Sequence, residues 1–185
     1  MTASTEDDGG SGSGGSAAVR IRPARPADVR GINRLVEPMT HTGILLGKDL
    51  VSYYEAVQEF LVATDEEGTI VGCGALHVMW EDLAEVRTLA VSDSVRGTGL
   101  GHRILESLLD RARQLGLERV FCLTFEVEFF GRHGFEVMEE TVDPEIYVEL
   151  LRSADEGIAE FLDLARVKPN TLGNTRMIKR LDASA

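Results

Sequence analysis

Leu100, Ile104, Leu105, Leu108, Leu109, Ala112 and Leu115 recur every three or four residues, the period of an α-helix that buries one face. Gly116 follows where a left-handed residue commonly ends a helix. Upstream, Ala84 to Val91 reads as a long strand, and the two segments are joined by Arg96-Gly97-Thr98-Gly99-Leu100-Gly101. Such a helix must lay its apolar stripe on a second layer, and the strand before it supplies a sheet. The segment therefore predicts an α/β or α+β domain.

The remaining chain fits that class. Val19 to Arg22 is a short alternating strand, and Pro26-Ala27-Asp28 opens a helix carrying Val29, Ile32, Leu35 and Val36 that Pro38 is expected to end. A second helical stretch runs through Tyr53, Tyr54 and Val57. Phe60 to Ala63 and Ile70 to Leu76 flank the turn Asp65-Glu66-Glu67-Gly68 as a hairpin. Arg119 to Thr124 reads as a buried strand, Glu128 to His133 as a short helix stopped by Gly134, and Phe135 to Val137 as a strand start. Pro144 to Leu151 and Ile158 to Leu162 read as helical, and Arg176 to Leu181 as a last strand. Residues 1–18 are acidic and then Gly/Ser-rich, too poor in apolar surface to offset ordering entropy. They are expected to be disordered, with residues 19–185 as one folded domain. They lack the apolar core of a signal peptide.

Nineteen Lys and Arg stand against thirty-one Asp and Glu, a formal charge of -12, which argues against nucleic acid as a partner. No apolar run reaches the length of a bilayer span. The two cysteines, Cys73 and Cys122, read as buried free thiols of a cytoplasmic protein. His41, His77, His102 and His133 lack metal-ligand spacing, so no metal is expected.

The Gly-rich turn carries the chemistry. Glycines let the backbone bring its N–H groups close to a ligand, and the helix start adds unpaired donors and a positive dipole end. Arg96 adds a cation. A Walker A loop would need Gly-Lys-Ser/Thr where Gly101-His102-Arg103 stands, and a dinucleotide fingerprint would need a small residue at His102. Leu89-Ala90-Val91 followed by Arg96-Gly97-Thr98-Gly99-Leu100-Gly101 resembles the central motif of the GNAT superfamily of N-acetyltransferases. Phe129-Phe130-Gly131-Arg132-His133-Gly134-Phe135 resembles that family's closing helix and Gly-Phe strand start. The resemblance implies a mixed, mostly antiparallel sheet splayed between its fourth and fifth strands and flanked by helices. It also implies acetyl-CoA as cosubstrate. The backbone of Leu89, Ala90 and Val91 would bind pantetheine, and Arg96, Gly97, Thr98, Gly99, Leu100 and Gly101 would hold the pyrophosphate.

Acetyl transfer to an amine needs a base for the ammonium, a hold on the oxyanion and a donor for the leaving thiolate. Period-two alternation puts Glu85 and Arg87 on one strand face. A charged pair in an apolar strand is either a structural ion pair or a functional one, with Glu85 as base and Arg87 tuning it or binding a carboxylate. Ala84 to Val91, Gly43 to Leu46 and Val120 to Thr124 resemble the acetyltransferase domain of N-acetylglutamate synthases. Val167 to Asn170 and Gly173 to Met177 resemble the C-terminal block of its short actinobacterial form. That resemblance implies acetylation of the α-amine of L-glutamate, the first step of arginine biosynthesis. Glu85 matches the base, Thr124 a hydroxyl that serves the thiolate, and Lys48 a residue that meets a substrate carboxylate. Thr124 reads equally as a strand-end threonine bonded to backbone. Arg87, Lys168 and Arg176 complete the candidate cations, the last two reading also as solvated surface residues. The chain departs from many relatives in carrying Phe130 where they place a tyrosine acid.

L-Glutamine or another small amine is the alternative substrate, and a catalytically silent acyl-CoA sensor the reading from another class. The kinase-like, arginine-sensing domain of long synthases is expected to be missing. A homodimer is the default expectation for a soluble enzyme.

Overall fold

The computed structural model describes residues 19–43, 45, 47–138, 144–153, 158 and 173–182. Seven strands form one sheet in the order β1-β2-β3-β4-β5-β7-β6. They are β1 (Arg20–Pro23), β2 (Phe60–Thr64), β3 (Ile70–Val78), β4 (Leu83–Val91), β5 (Arg119–Thr124), β6 (Glu136–Val137) and β7 (Thr175–Arg180). All neighbours pair antiparallel except β4 and β5, which run parallel. Among the described residues the α-helices include α1 (Val29–His41), α2 (Leu50–Glu55), α3 (Leu100–Gln114), α4 (Val127–Gly131) and α5 (Pro144–Leu150).

Three apolar clusters place these helices on the two sheet faces. Leu100, Ile104, Leu105, Leu108, Leu109 and Ala112 of α3 pack with Ala84, Val86, Val120 and Cys122 on one face. On the other, Val29, Ile32 and Val36 of α1 and Tyr53 of α2 cover Cys73, Ala75 and Ala90. Leu150 of α5 packs with Met79, Leu83 and Phe121 farther along that second face. The helix stripe is as predicted up to Ala112, whereas Leu115 is 55% exposed at the C-cap. Gly116, at φ 77°, lets the N–H groups of Gly116 and Leu117 bond back to Arg113 and Ala112, closing the helix.

Gly72 and Gly74 of β3 let α3 lie close to the sheet. A Cβ at Gly74 would stand 2.9 Å from Leu108 and 3.1 Å from Ile104, and one at Gly72 2.8 Å from Ile104. The predicted hairpin is present, with the Asp65 carboxylate accepting from the Thr69 N–H at 2.7 Å.

Pro38 does not end α1, which continues to His41. Proline removes only the bond to the Arg34 carbonyl, and this happens in the last turns, where Val36 and Met39 still pack against the sheet. The Thr40 hydroxyl then donates to the Glu37 carbonyl at 2.8 Å and that of Thr42 to Met39 at 3.1 Å. Residues 1–18, Ile44, Leu46, Lys168 and most of the predicted helix after Ile158 lie outside the described residues.

Candidate active site

Two backbone irregularities in β4 make the site. The parallel ladder with β5 spans only Leu83↔Arg119, Ala84↔Val120 and Glu85↔Phe121. Beyond Glu85 the ladder stops while β4 runs on to Val91 and β5 to Thr124, and the strand edges no longer paired there define the candidate cleft. The second irregularity is a bulge: Cys73 pairs with Ala90, but Ala75 pairs with Arg87, so β4 carries one extra residue. Thr88 absorbs it at φ 53°, and its carbonyl accepts a weak bond from the Cys73 thiol at 3.5 Å. A bulge reverses the alternation of everything after it. Ala84 and Val86 face α3 before it, and Leu89 and Val91 face α3 after it.

Glu85 and Arg87 therefore face the α1 side, between the cluster under α1 and α2 and the cluster under α5. Both are buried, at 5% and 8% exposure. The Arg87 Nε donates to Glu85 Oε2 at 2.5 Å. Each charge partly offsets the other's desolvation. His77 of β3 stands directly across from Glu85, and its Nδ1 lies 2.8 Å from Glu59 Oε1.

Thr124, at the mouth of β5, is also buried. Alternation puts it on the α3 face with Cys122, opposite to Glu85. Its Oγ1 accepts from the Glu126 N–H at 2.9 Å, which leaves the hydroxyl proton to be donated elsewhere. Phe130 is buried, its ring edge-on to Phe129 and Phe135 at 5.2 Å between centroids, and it packs the core. Arg176 pairs with Leu123 across β7 and β5, so it shares the sheet face of Glu85 and is half-buried. Lys48 is half-buried just before the Asp49 N-cap of α2.

Burial pushes the Cys73 thiol up to about 12. Cys122 is pushed up as well, first by burial and then by the nearby Glu85 charge. Neither is a thiolate at neutral pH, so neither is set up as a nucleophile.

The Gly-rich turn leaves β4 at the open end of the cleft. Gly97 and Gly99 lie at φ 81° and 80°, and a Cβ at either would meet nothing within 4 Å. Conformation, not crowding, asks for glycine there, and the open space admits a phosphate to the first turn of α3. Arg96 is exposed and pairs with Asp93 at 3.0 Å, a surface pair weak enough to be exchanged for a phosphate. Phe129 lies 3.6 Å from where a Gly101 Cβ would be.

Comparison with known proteins decides the family. The profile of the Acetyltransferase (GNAT) family matches residues 36–135, which takes in β4, the turn, α3, β5 and α4. The chain belongs to the GNAT acetyltransferase family. As a member it is an acyltransferase that uses acetyl-CoA.

This GNAT protein is 57% identical over 162 residues to an amino-acid acetyltransferase of Mycobacterium tuberculosis, covering 85% of this chain and 92% of that one. It is 34% identical to an amino-acid acetyltransferase of Neisseria meningitidis over 70% of this chain but only 30% of the longer relative. Among solved structures, a Mycobacterium tuberculosis protein in complex with CoA and NLQ superimposes with a TM-score of 0.83. The two share 55% identity, over 88% of this chain and 99% of that one. N-acetylglutamate synthase of Neisseria gonorrhoeae, complexed with coenzyme A and N-acetyl-glutamate, superimposes with a TM-score of 0.71 at 26% identity, over 90% and 36% of the two chains.

The bulge at Thr88 and the placement of His77 opposite Glu85 escaped the sequence reading. Among the described residues no helix is long and apolar enough to cross a membrane, and no cluster of His, Cys, Asp and Glu is arranged to hold a metal ion.

Proposed function

We propose that residues 19–185 form an amino-acid N-acetyltransferase that moves the acetyl group of acetyl-CoA to the α-amine of L-glutamate, as the first step of arginine biosynthesis. The observation that carries this reading is the buried Glu85–Arg87 pair beside the cleft between β4 and β5. The similarity over most of its length to an amino-acid acetyltransferase supports the substrate class.

The β4 edge that β5 leaves beyond Glu85 offers Leu89, Ala90 and Val91 backbone groups to pantetheine. The turn from Arg96 to Gly101 offers N–H groups and a guanidinium to the pyrophosphate. Glu85 takes a proton from the substrate ammonium, directly or through one water. The freed amine attacks the thioester carbonyl carbon, and the C–N bond forms as the C–S bond breaks. The Thr124 hydroxyl, on the far face of the opening, hydrogen-bonds the departing thiolate, which takes up the proton that the attacking nitrogen sheds on becoming an amide and ends as the CoA thiol. When Glu85 is protonated, its hold on Arg87 weakens, and the guanidinium can turn toward a substrate carboxylate. Lys48 and Arg176 lie on the same side of the sheet and would meet the remaining carboxylate oxygens, with Lys168 as a further candidate.

One observation favours a second substrate. Arg87 is already engaged by Glu85, which leaves less positive charge for a distal carboxylate and suits L-glutamine better than a fully solvated arginine would. CoA release from acetyl-CoA, followed with each amine, separates the readings. Turnover with L-glutamate at the higher kcat/KM is expected. Preference for L-glutamine would move the assignment to the second substrate, and no turnover with either, with acetyl-CoA bound, would remove the amino-acid assignment.

A further inference from the structure

The two family motifs are tied together by a chain of side chains that the reaction does not use. His102, in the first turn of α3, points its Nδ1 at Nε2 of His133 across 2.6 Å. His133, just past α4, brings its Nδ1 to within 2.7 Å of Glu106 Oε1. The imidazoles lie 4.9 Å apart between centroids, and Phe129 packs against both, at 4.8 Å from His102 and 5.3 Å from His133. Phe129 also covers Gly101. The chain thus clamps the turn of α3 next to the Gly-rich loop onto α4. His133 is largely buried, with 9% of its side chain exposed. His102 and Glu106 line an open groove of about 700 Å³ beside β1, through which protons reach the chain from solvent.

Proton counting shows what this clamp tolerates. A carboxylate only accepts, so His133 carries its hydrogen on Nδ1. Neutral His133 then presents a bare Nε2, and His102 Nδ1 donates to it. One added proton is accommodated in either of two ways. It can sit on Nε2 of His102, leaving both bonds intact, or on Nε2 of His133, which then donates to a bare His102 Nδ1. A second added proton puts N–H groups on both facing nitrogens, and the bond between the rings is lost.

We propose that His102 and His133, held by Glu106, are positioning residues for acetyl-CoA, forming a proton-sensitive clamp on the first turn of α3. The inference rests on the reading of residues 96–101 as the pyrophosphate cradle. The charged groups around the pair set its local field: Arg103 and Glu106 on α3, Arg20 on β1 beside the groove, Arg132 and Glu128 paired on α4, and Lys179 of β7 against Gly134. In acid, a second proton on the pair breaks the bond between the rings and loosens the loop's anchoring turn, so acetyl-CoA binding weakens as pH falls.

The test compares three proteins by the KM for acetyl-CoA and for the amine between about pH 8 and about pH 5.5. His133→Ala removes the clamp, and a loss of one net hydrogen bond raises the KM for acetyl-CoA roughly 2- to 10-fold at pH 8, with the KM for the amine unmoved. His102→Asn keeps the contact in both charge states, because its amide can turn either N–H or C=O toward His133. Its KM for acetyl-CoA rises less in acid than that of the wild type, while titration of the CoA phosphates is common to both. Equal acid slopes in wild type and His102→Asn overturn the proposal, and so does an unchanged KM for acetyl-CoA in His133→Ala. If His133→Ala folds poorly, the His102→Asn comparison decides alone. Gly99→Val separates the two ideas: acetyl-CoA binding that survives it removes the cradle reading, whereas its loss, with equal acid slopes, removes only the clamp.

Discussion

At Thr124 one hydroxyl has two calls on it. Its oxygen accepts from the Glu126 N–H and so closes the turn after β5, and its proton is the group assigned to the leaving thiolate. The two roles separate by substitution. Thr124→Val keeps the shape and removes both; it leaves the Glu126 N–H without its acceptor and costs about 1–2 kcal/mol in a denaturant titration. Turnover is expected to fall about 10-fold or more. Thr124→Ser restores the turn bond and the proton together, and most of the turnover with them. Full activity in Thr124→Val would leave the residue with its structural role alone.

Residue-level chemistry was legible where alternation is local. Glu85 and Arg87 both precede the bulge, so counting by two along β4 placed them on one face as the structure does. Counting fails from Thr88 onward. A β-branched threonine carries no signal for a positive φ, and the extra residue is fixed by pairing with β3, not by the local sequence.

At the level of elements, the close seating of α3 on the sheet matters most, because the proposed cradle stands at the N-terminus of α3. Gly72 and Gly74 set that distance, since the nearest atoms to an added Cβ belong to buried α3 side chains. Gly74→Ala must displace Leu108, Ile104 and Leu89 together, at a cost of about 1–3 kcal/mol. A melting temperature lower by roughly 2–10 °C is expected, with CoA affinity falling as α3 shifts. An unchanged melting temperature would show that α3 can relax away freely. The stripe of α3 was plain from spacing, but its neighbours were not. Arg176 illustrates the gap: its position on the face of Glu85 depends on β7 inserting beside β5, a pairing between distant segments. Pro38 shows the reverse failure. A strong local breaker is overridden because α1 still buries Val36 and Met39 in its last turns.

For the whole molecule, one sheet with two differently covered faces accounts for the division of labour. The α3 face holds the cradle and Thr124, and the other face holds Glu85 and Arg87 between two apolar clusters. The end of the β4–β5 ladder lies between them, so that Glu85, proposed as the base, and Thr124, proposed to serve the thiolate, stand on opposite sides of the sheet there. The composition could announce a layered α/β domain, but where the parallel pair stops, after Glu85, is set only when β4 and β5 meet across α3.

The most direct test of this arrangement is Glu85→Gln, which keeps an oxygen for Arg87 and removes the base. Turnover and acetyl-CoA binding are measured on the same preparation, with the amine saturating. Turnover is expected to fall by about 100-fold or more, while the Kd for acetyl-CoA stays within about twofold of wild type. Parallel loss of turnover and acetyl-CoA binding would contradict it, and would make the Glu85–Arg87 pair a structural feature of the sheet.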